Sequence, residues 1–429
     1  MPRSLIVRAD CIAQIKSCLL RNGFPSQKIL AENLGLSQST VSNFLNGRPV
    51  DFINFQELCV ALGQEWREIA SLEDNTSITE PSISTPQSSP ALEIPEGQVC
   101  LSSPFYINRP PIEQRCYETI IQPGALVRIS APRQFGKTSL MARILHHAQC
   151  QGTRAVTLSL QLAERRVFES SNLFLQWFCA SVSQELDLVD AQQLTKYAQL
   201  AQIIGDNQSC KAYFEQYLLP ALKVPLTLGV DDIDRVFDYP EIAEDFLGLL
   251  RSLHEEAKRR EIWKNLRLVI AHSTEVYIPL DVNKSPFNVG LPVKLSEFET
   301  QHIQQLAQRH GLGNCQLLQH WVGGHPYLLR LGMYHLACGD LSLEKWAEEI
   351  SYDAGVYGDR LRRYWWNLER EAGLIEAMRK VAIASEPVLL PSLQAVKLYS
   401  LGLVEFEGSL CQPRCRLFQD YFRDRCHSK

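Results

Sequence analysis

Residues 131–138 read Ala-Pro-Arg-Gln-Phe-Gly-Lys-Thr and differ at one position from the phosphate-binding pattern G-x-x-x-x-G-K-[ST]. Alanine replaces the first glycine, which adds a methyl group without removing a hydrogen-bond donor. Gly136 lets the backbone approach an anion, Lys137 suits the β- and γ-phosphates, and the Thr138 hydroxyl suits Mg²⁺. An apolar strand, "ALVRIS", precedes the loop and a helix, "TSLMARILHHAQ", follows it. We predict a phosphate site formed by Ala131, Pro132, Arg133, Gln134, Phe135, Gly136, Lys137, Thr138 and Ser139.

The acidic motif "LTLGVDDID" follows a second apolar strand, which ends at Val230. Asp231 is placed to bind Mg²⁺ through water, and Asp232 to orient or activate the attacking water. Glutamate holds the second role more often, and the shorter reach of aspartate makes hydrolysis a separate question from binding. We predict ATP or ADP with Mg²⁺ as cofactors, Thr138 and Asp231 as metal-binding residues, and Asp232 as a catalytic residue.

A third apolar strand, "LRLVIAHSTE", ends in polar residues. A side chain there would lie beside the γ-phosphate, and we take Ser273 as a second candidate catalytic residue that senses it. Helix capping by Ser273 or Thr274 is an equally good explanation, and the two stay open.

Short strands and helical segments alternate on both sides of these motifs. "AVTLSL" is followed by a long helical stretch, Ser170 to Leu222, and a helix from Ala243 to Arg260 precedes "LRLVIAH". Such alternation predicts an α/β P-loop NTPase core, in which a parallel sheet carries helices on both faces.

Composition limits the class of protein. The chain has 429 residues and a net charge of −5, which suggests about three domains and makes any nucleic-acid contact a local patch. No apolar run approaches the roughly 20 residues of a membrane helix. Asp10 interrupts what would be the core of a signal peptide, and the thirteen cysteines are scattered without a C-x-x-C pair. We expect a cytoplasmic protein with reduced thiols and no membrane partner.

The segment "EDNTSITEPSISTPQSSPALEIP", residues 73–95, is rich in Ser, Thr and Pro and lacks aromatic residues. It cannot bury enough apolar surface to order itself, so we predict a flexible linker at 73–98. An all-α N-terminal domain, residues 1–72, precedes it. A P-loop NTPase domain at 99–298 follows, then a helical lid at 299–370 and a winged-helix domain at 371–429, where "SLQAVKLYSLGLVEFEGSLCQP" gives a helix and two short strands about Gly408.

The N-terminal stretch "ILAENLGLSQSTVSNFLNG" resembles the helix-turn-helix of Cro/repressor-type proteins. The resemblance implies that Gln38, Ser39, Thr40 and Asn43 face base edges and that Arg48 contacts phosphate. The stretch 36–47 contains no Lys or Arg, and in residues 1–72 six acidic residues nearly balance seven basic ones. A single copy would therefore bind DNA weakly. An adaptor for a protein partner is the alternative of equal weight.

The chain after the linker resembles bacterial AAA-like domain proteins of the STAND class, the signal-transduction NTPases with numerous domains. The motifs are "SPFYINRPPIE", "PRQFGKTSLMARIL", "VDDID", "AHSTEVYIP", "SPFNVGLPVKLSEF" and "WVGGHPYLL". The resemblance implies that His325 or Pro326 approaches the nucleotide, that Arg109 lies near the adenine base, and that nucleotide exchange sets a switch.

Three functions remain open at this point. The first is an ATP-dependent switch with slow hydrolysis that couples nucleotide state to DNA or protein binding in bacterial signalling or transcriptional control, with or without homo-oligomers. The second is a DNA-binding regulator that binds nucleotide without hydrolysing it. The third is an AAA+-type ATPase acting on DNA, which needs an arginine finger from a second copy, with Arg259 and Arg260 as candidates.

Overall fold

The chain forms two compact units, Met1–Pro86 and Gln87–Lys429. The computed structural model describes residues 4–8, 11, 12, 15, 18, 24, 26–34, 36, 38–48, 50–62, 69–71, 91–273, 286–371 and 373–427. Most of the predicted linker, residues 73–90, lies outside this set. Its last residues, 91–98, belong to the second unit.

The first unit combines short helices with short strands. Two apolar helices follow each other, and the Ser26 hydroxyl caps the first by accepting a hydrogen bond from Ile29 N at 3.3 Å. Leu30, Val41 and Phe44 are buried at the spacing that the helical pattern predicts. The elements are β1 (Ser4–Val7), α1 (Gln27–Leu34), α2 (Gln38–Leu45), β2 (Val50–Asp51), α3 (Phe52–Ala61) and β3 (Ala70–Ser71).

The prediction of an all-α first unit is wrong. β1 pairs antiparallel with β2 on one side and with β3 on the other. The sequence "SLIV" places Leu5 and Val7 on the buried face, and its apolar, β-branched residues suit a strand. The helix-turn-helix assignment of α1 and α2 stays a prediction.

The second unit is built on a five-stranded parallel sheet in the order β5-β6-β7-β4-β8. Every residue of β6 and β7 is buried, as expected for central strands covered on both faces. The strands are β4 (Leu126–Ser130), β5 (Arg154–Ser159), β6 (Leu226–Asp231), β7 (Leu266–His272) and β8 (Leu291–Lys294).

Helices cover both faces of this sheet, as the alternation predicts. The helices α4 (Ile112–Ile120) and α5 (Lys137–Cys150) share one apolar cluster with β4. Gly229 of β6 lets α5 approach closely, because a Cβ there would lie 2.8 Å from Leu145 Cδ1. The opposite face is covered by a second cluster that includes Phe174, Phe178 and Phe246.

Between β5 and β6 the chain forms several separate helices, although one long helical stretch was predicted there. This segment comprises α6 (Ser171–Glu185), α7 (Ala191–Ile204), α8 (Asp206–Tyr213), a π-helical turn (Phe214–Leu218) and α9 (Leu219–Ala221). Asp190 caps α7, and Gly205, at φ 87°, separates α7 from α8. The next helix, α10 (Pro240–Glu256), lies between β6 and β7.

The remainder of the unit is mainly helical and shares one apolar core, which runs from Ile303 to Phe422 and also includes Phe105 and Ile107. β9 and β10 form an antiparallel pair around Gly408, where two short strands were expected. The elements are α11 (Thr300–Arg309), α12 (Gln316–Val322), α13 (Pro326–Cys338), α14 (Leu343–Glu349), α15 (Gly358–Glu369), α16 (Leu374–Ile383), α17 (Ser392–Leu401), β9 (Val404–Glu407), β10 (Leu410–Pro413) and α18 (Arg416–His427).

Among the residues that the structure describes, no helix has the length and apolar character to cross a membrane.

Candidate functional site

A cleft of about 1070 Å³ opens at the carboxyl edge of the sheet. Its walls come from the 131–139 loop with the start of α5, from the end of β6, from residues 94–99, and from α13 and α15. The predicted residues that line it are Arg109, Gln134, Gly136, Lys137, Thr138, Ser139, Asp231, Asp232 and Pro326. Those that are described but do not line it are Ala131, Pro132, Arg133, Phe135, Ser273 and His325.

The loop keeps a phosphate-binding shape despite its alanine. Left-handed backbone occurs at Gln134 (φ 68°) and Gly136 (φ 94°), so position 131 does not require glycine. Ala131 is buried in the apolar cluster beneath α5, where its methyl group packs. At Gly136 a Cβ would lie 2.9 Å from Arg109 Nη2, which explains why glycine is needed there.

Lys137 is held at the mouth of the loop by main-chain oxygens. Its Nζ donates to Ala131 O and Pro132 O, each at 3.0 Å. Burial lowers the pKa of Lys137, and the nearby carboxylates of Asp231, Asp232 and Asp234 oppose that shift. An incoming phosphate would offer this ammonium group a charged partner in place of two carbonyls.

Thr138 and Asp231 meet across the cleft. The Thr138 hydroxyl donates to Asp231 Oδ2 at 2.7 Å, and Asp232 N donates to Asp231 Oδ1 at 2.9 Å. Burial raises the pKa of Asp231. A hydroxyl and a carboxylate are the oxygen ligands that Mg²⁺ takes in nucleotide sites, so this pair fits the predicted metal.

Asp232 has left-handed backbone, with φ 56° and ψ 39°. Its Oδ2 accepts a hydrogen bond from the Ser159 hydroxyl at 2.9 Å, at the end of the neighbouring β5. Aspartate tolerates this conformation better than most residues, and such outliers gather at functional sites. Ser159 was not predicted as a site residue, although Ser159 ends an apolar strand in the same way as Asp231 does.

Ser273 is engaged through its main chain. Its N–H donates to both carboxylate oxygens of Asp234, each at 2.7 Å. This links the end of β7 to the turn that carries Asp232. The sensing role of the Ser273 hydroxyl stays a prediction.

Arg109 ties the loop to the wall of the cleft. Its Nη2 donates to Phe135 O at 2.8 Å and its Nη1 to Ser296 O at 3.2 Å, while the guanidinium lies 4.9 Å from the centre of the Phe298 ring. The Arg109 N–H donates to both oxygens of Glu113, each at 2.9 Å. The side chain thus fixes the shape of the loop, besides lining the space predicted for the base.

His325 and Pro326 differ in their position relative to the cleft. Pro326 begins α13 on the cleft wall, whereas His325 is fully buried behind the loop, 4.9 Å from the centre of the Phe135 ring. Its Nδ1 accepts from Leu328 N at 3.4 Å and caps α13, and its Nε2 has no hydrogen-bond partner among the described residues. Burial, followed by Arg414 and Arg360, lowers the pKa of His325 to about 3.

Residues 94–99 form a strap along the cleft wall, and all but the last of them were predicted to belong to the linker. One end is fixed to α5, since Val99 N donates to the Ser139 hydroxyl at 2.9 Å. Just before the other end, Glu93 accepts hydrogen bonds from Ser103 Oγ at 2.5 Å and from Arg330 of α13 at 3.1 Å. The linker composition upstream concealed this role.

Two arginines of α15, Arg360 and Arg363, also line the cleft, and no motif pointed to them. Arg360 lies 5.1 Å from the centre of the Tyr327 ring and 5.7 Å from that of Tyr364. In the part of the chain that the structure describes, neither arginine forms an ion pair with a carboxylate. Together with Lys137 they bring positive charge to a cleft that the carboxylates of Asp231 and Asp232 also line.

The C-terminal helices contact the back of the loop. Arg133 N donates to Ser400 O at 3.1 Å, and Tyr364 Oη donates to Gln134 Oε1 at 3.4 Å. The buried Arg414 lies 5.2 Å from the centre of the Phe135 ring and pairs with Glu297 at 3.1 Å. The phosphate loop therefore contacts the sheet on one side and the C-terminal elements on the other.

The predicted DNA-facing residues lie in the first unit. Arg48 is exposed, and Thr40 and Asn43 are half-buried. The side chains of Gln38 and Ser39 fall outside the described residues. Their role in DNA binding stays a prediction.

The basic residues near the C-terminus are paired with acidic ones. Arg416 lies 3.5 Å from Asp420, Arg423 lies 2.6 Å from the same carboxylate, and Arg425 pairs with Asp353. Their positive charge is locally balanced, which does not favour a phosphate-binding surface.

The sequence profile of the AAA-like domain family matches residues 94–424. This match covers more than half of the chain, so the protein belongs to the AAA-like domain family. An uncharacterised WD repeat-containing protein of Synechocystis sp. is 20% identical over 290 residues, which cover 63% of this chain and 23% of that relative. The chain thus spans about a quarter of the length of the curated relative that it matches.

Solved structures with a similar fold include a Walker-type ATPase of Pyrococcus abyssi. It has a TM-score of 0.52 at 12% identity, over 74% of this chain and 96% of the other. The Aeropyrum pernix ORC2 protein matches with a TM-score of 0.43 at 14% identity, over 76% of this chain and 98% of the other. The first similarity shows the fold, that of a P-loop ATPase.

Proposed function

We propose that this member of the AAA-like domain family is an ATP-binding molecular switch of the STAND class, which hydrolyses ATP slowly and acts in the cytoplasm. One observation carries the proposal: Lys137, Thr138 and Asp231 converge in a single cleft, with the Thr138 hydroxyl 2.7 Å from the Asp231 carboxylate. Binding of the triphosphate follows from this arrangement, because an ammonium group and a metal-binding pair face the same space.

Nucleotide binding would use the residues of this chain in defined roles. Mg²⁺ would neutralise part of the negative charge of the phosphates. Thr138 and Asp231 would hold it, and Lys137 would exchange its two carbonyl partners for phosphate oxygens. The strap at 94–99 and the apolar residues beside it would enclose the base.

Hydrolysis would depend on Asp232. The Ser159 hydroxyl holds one of its carboxylate oxygens, which leaves the other to orient water. Because aspartate reaches less far than glutamate, we expect slow turnover. A nucleotide-binding regulator without hydrolysis is the second candidate, favoured by this same hydrogen bond if it keeps Asp232 away from the water.

The switch would act through the elements that enclose the cleft. Arg360 and Arg363 lie on α15, on the side opposite the sheet, and a γ-phosphate would attract both guanidinium groups. Ser400 of α17 holds Arg133 of the loop. A triphosphate that draws α15 inward and reshapes the loop would thus disturb the C-terminal elements, for which we propose a winged-helix fold.

We propose that the output reaches the N-terminal unit through the strap. Residues 94–99 follow the Ser-, Thr- and Pro-rich stretch in the chain and form part of the cleft wall, so a change in the cleft would be passed to the segment that leads to the first unit. That unit, as a helix-turn-helix, would bind DNA or a protein partner, with Gln38, Ser39, Thr40, Asn43 and Arg48 at the contact. Assembly into homo-oligomers would strengthen a weak single contact.

The decisive experiment measures binding and turnover of ATP and ADP by the full chain with Mg²⁺, with and without duplex DNA. Tight binding with slow turnover that DNA does not change would support the switch. Binding without any turnover would support the second candidate, and turnover that rises with DNA would make the protein a DNA-acting AAA+-type ATPase. Absence of nucleotide binding would overturn the proposal.

A further inference from the structure

Two cysteines in the helical segment between β5 and β6 lie in direct contact. Cys179 of α6 and Cys210 of α8 place their sulfur atoms 3.4 Å apart, and neither is in a disulfide. A disulfide bond needs a sulfur separation of about 2.05 Å, so closing it requires a shift of about 1.4 Å shared by two side chains.

The pair is reachable from solvent through a groove. A cavity of about 630 Å³ lies between α6, α7 and α8, and both cysteines line it. Each side chain is nevertheless largely buried, with relative exposures of 6% for Cys179 and 4% for Cys210. The groove shares no lining residue with the nucleotide cleft.

The surroundings of Cys210 disfavour its thiolate. The hydrogen bond with Cys179, together with burial, raises the pKa of the Cys210 thiol. Nucleophilic attack needs the thiolate, which disfavours Cys210 as the first nucleophile. Cys179 is also the more exposed of the two, so we take it as the first nucleophile.

We propose that Cys179 and Cys210 form a dithiol site that low-molecular-weight disulfides, such as oxidised glutathione, convert to an intramolecular disulfide. The Cys179 thiolate attacks one sulfur of the reagent and releases one glutathione thiolate. The Cys210 thiol gives its proton to solvent, attacks the Cys179 sulfur of the mixed disulfide and releases the second glutathione thiolate. The net change is one protein disulfide and two molecules of reduced glutathione.

The disulfide bond would join α6 to α8 in the helical segment between β5 and β6. The chain enters α6 from Ser159 at the end of β5 and leaves α8 towards β6, which ends at Asp231. The closed loop contains all of α7. We therefore expect the oxidised protein to have a higher midpoint of thermal unfolding than the reduced one.

The test is peptide mapping of the full chain after incubation with oxidised glutathione. Trypsin cleavage gives peptides 167–196 and 197–211, each with one cysteine, Cys179 in the first and Cys210 in the second. We expect the two peptides to be recovered as one cross-linked species that dithiothreitol separates. The exposed Cys100, Cys150 and Cys338 report in the same digest whether the reagent was active.

Two variants sharpen the result. Cys210→Ser should leave a persistent glutathione adduct on Cys179, and Cys150→Ser, in an exposed cysteine of α5, should cross-link as the wild type does. Recovery of peptides 167–196 and 197–211 as separate, unmodified thiols while Cys100 and Cys150 carry glutathione would overturn the proposal. Because the readout is a covalent link, its failure is independent of whether the protein binds ATP.

Discussion

The two sides of the nucleotide cleft are built differently. The sheet side brings Lys137, Thr138 and Asp231 together at the ends of buried parallel strands, within one apolar framework. The helical side is assembled from the strap at 94–99 and from Arg360 and Arg363, which are far apart in sequence, while Ser400 contacts the loop from behind. In the proposed switch, the sheet side would supply the chemistry for phosphate and metal, and the helical side would determine what that binding changes.

The largest effect is expected from a substitution on the sheet side of the cleft. Lys137→Ala deletes the only ammonium group among the described residues that line the cleft, so we expect ATP affinity to fall about 100-fold, the loss of a charge-assisted hydrogen bond in a buried site. Calorimetric titration with ATP and Mg²⁺ measures it. Lys223→Ala, an exposed lysine near β6, serves as the control. Unchanged affinity in Lys137→Ala would refute the loop assignment.

A second substitution on the sheet side separates ATP hydrolysis from ATP binding. Asp232→Asn keeps the shape of the side chain and removes its charge, so ATP should still bind while turnover falls at least about 100-fold, as for a lost general base. Phosphate release under saturating ATP measures this effect. Asp238→Asn alters an exposed aspartate at the end of the same turn and should leave turnover unchanged. Equal rates in wild type and Asp232→Asn would remove Asp232 from the mechanism.

The third change tests the helical side alone. Arg363→Ala should weaken ATP binding about 10-fold while ADP binding changes little, because Arg363 lines the cleft and, in the proposed switch, would contact the γ-phosphate. Arg370→Ala, directly after the same helix, is the matched control, since Arg370 is exposed and does not line the cleft. If ATP and ADP affinities fell equally, α15 would not sense the third phosphate.

The last prediction concerns the stability contributed by the histidine behind the loop. The pKa of His325 is about 3 in the folded protein, below its value of about 6.5 in an unfolded chain. The unfolded state therefore binds more protons below pH 6.5, and stability falls as the pH decreases, by about 2 kcal/mol between pH 7 and pH 5.

His325→Asn tests this by removing the titrating group while keeping a side chain that caps α13. We expect the loss of unfolding free energy between pH 7 and pH 5 to be about 2 kcal/mol smaller in the variant than in the wild type, as measured by urea denaturation. An identical pH dependence in both proteins would contradict the assignment of His325 as a buried neutral group.

The same comparison explains what the sequence could predict. The α/β core and the convergence of Thr138 with Asp231 were predictable, because a parallel sheet places the carboxyl ends of its strands at one edge. The motif "GGHPY" marked the right place, but burial of His325 behind Phe135 depends on packing that no local pattern contains. Arg360 and Arg363 lie in an ordinary amphipathic helix, and only the tertiary fold brings them to the cleft.

Two regions were wrongly predicted from the amino-acid composition. Residues 91–98 were assigned to the linker because the Ser-, Thr- and Pro-rich stretch upstream gives no sign of where order begins, although Glu93 pairs with Arg330, far along the chain. The strands β1, β2 and β3 have four residues or fewer, too short for an alternating pattern to stand out from the helices around them.

The hydrogen bond from Arg133 N to Ser400 O joins two main-chain groups. Its strength does not depend on which side chains occupy the two positions, so substitutions at either one leave it in place, with proline at 133 as the exception because proline lacks an N–H. Related chains can therefore diverge freely at both residues and still keep the link between the loop and the C-terminal helices. Such a link leaves no trace in aligned sequences, and only coordinates can reveal it.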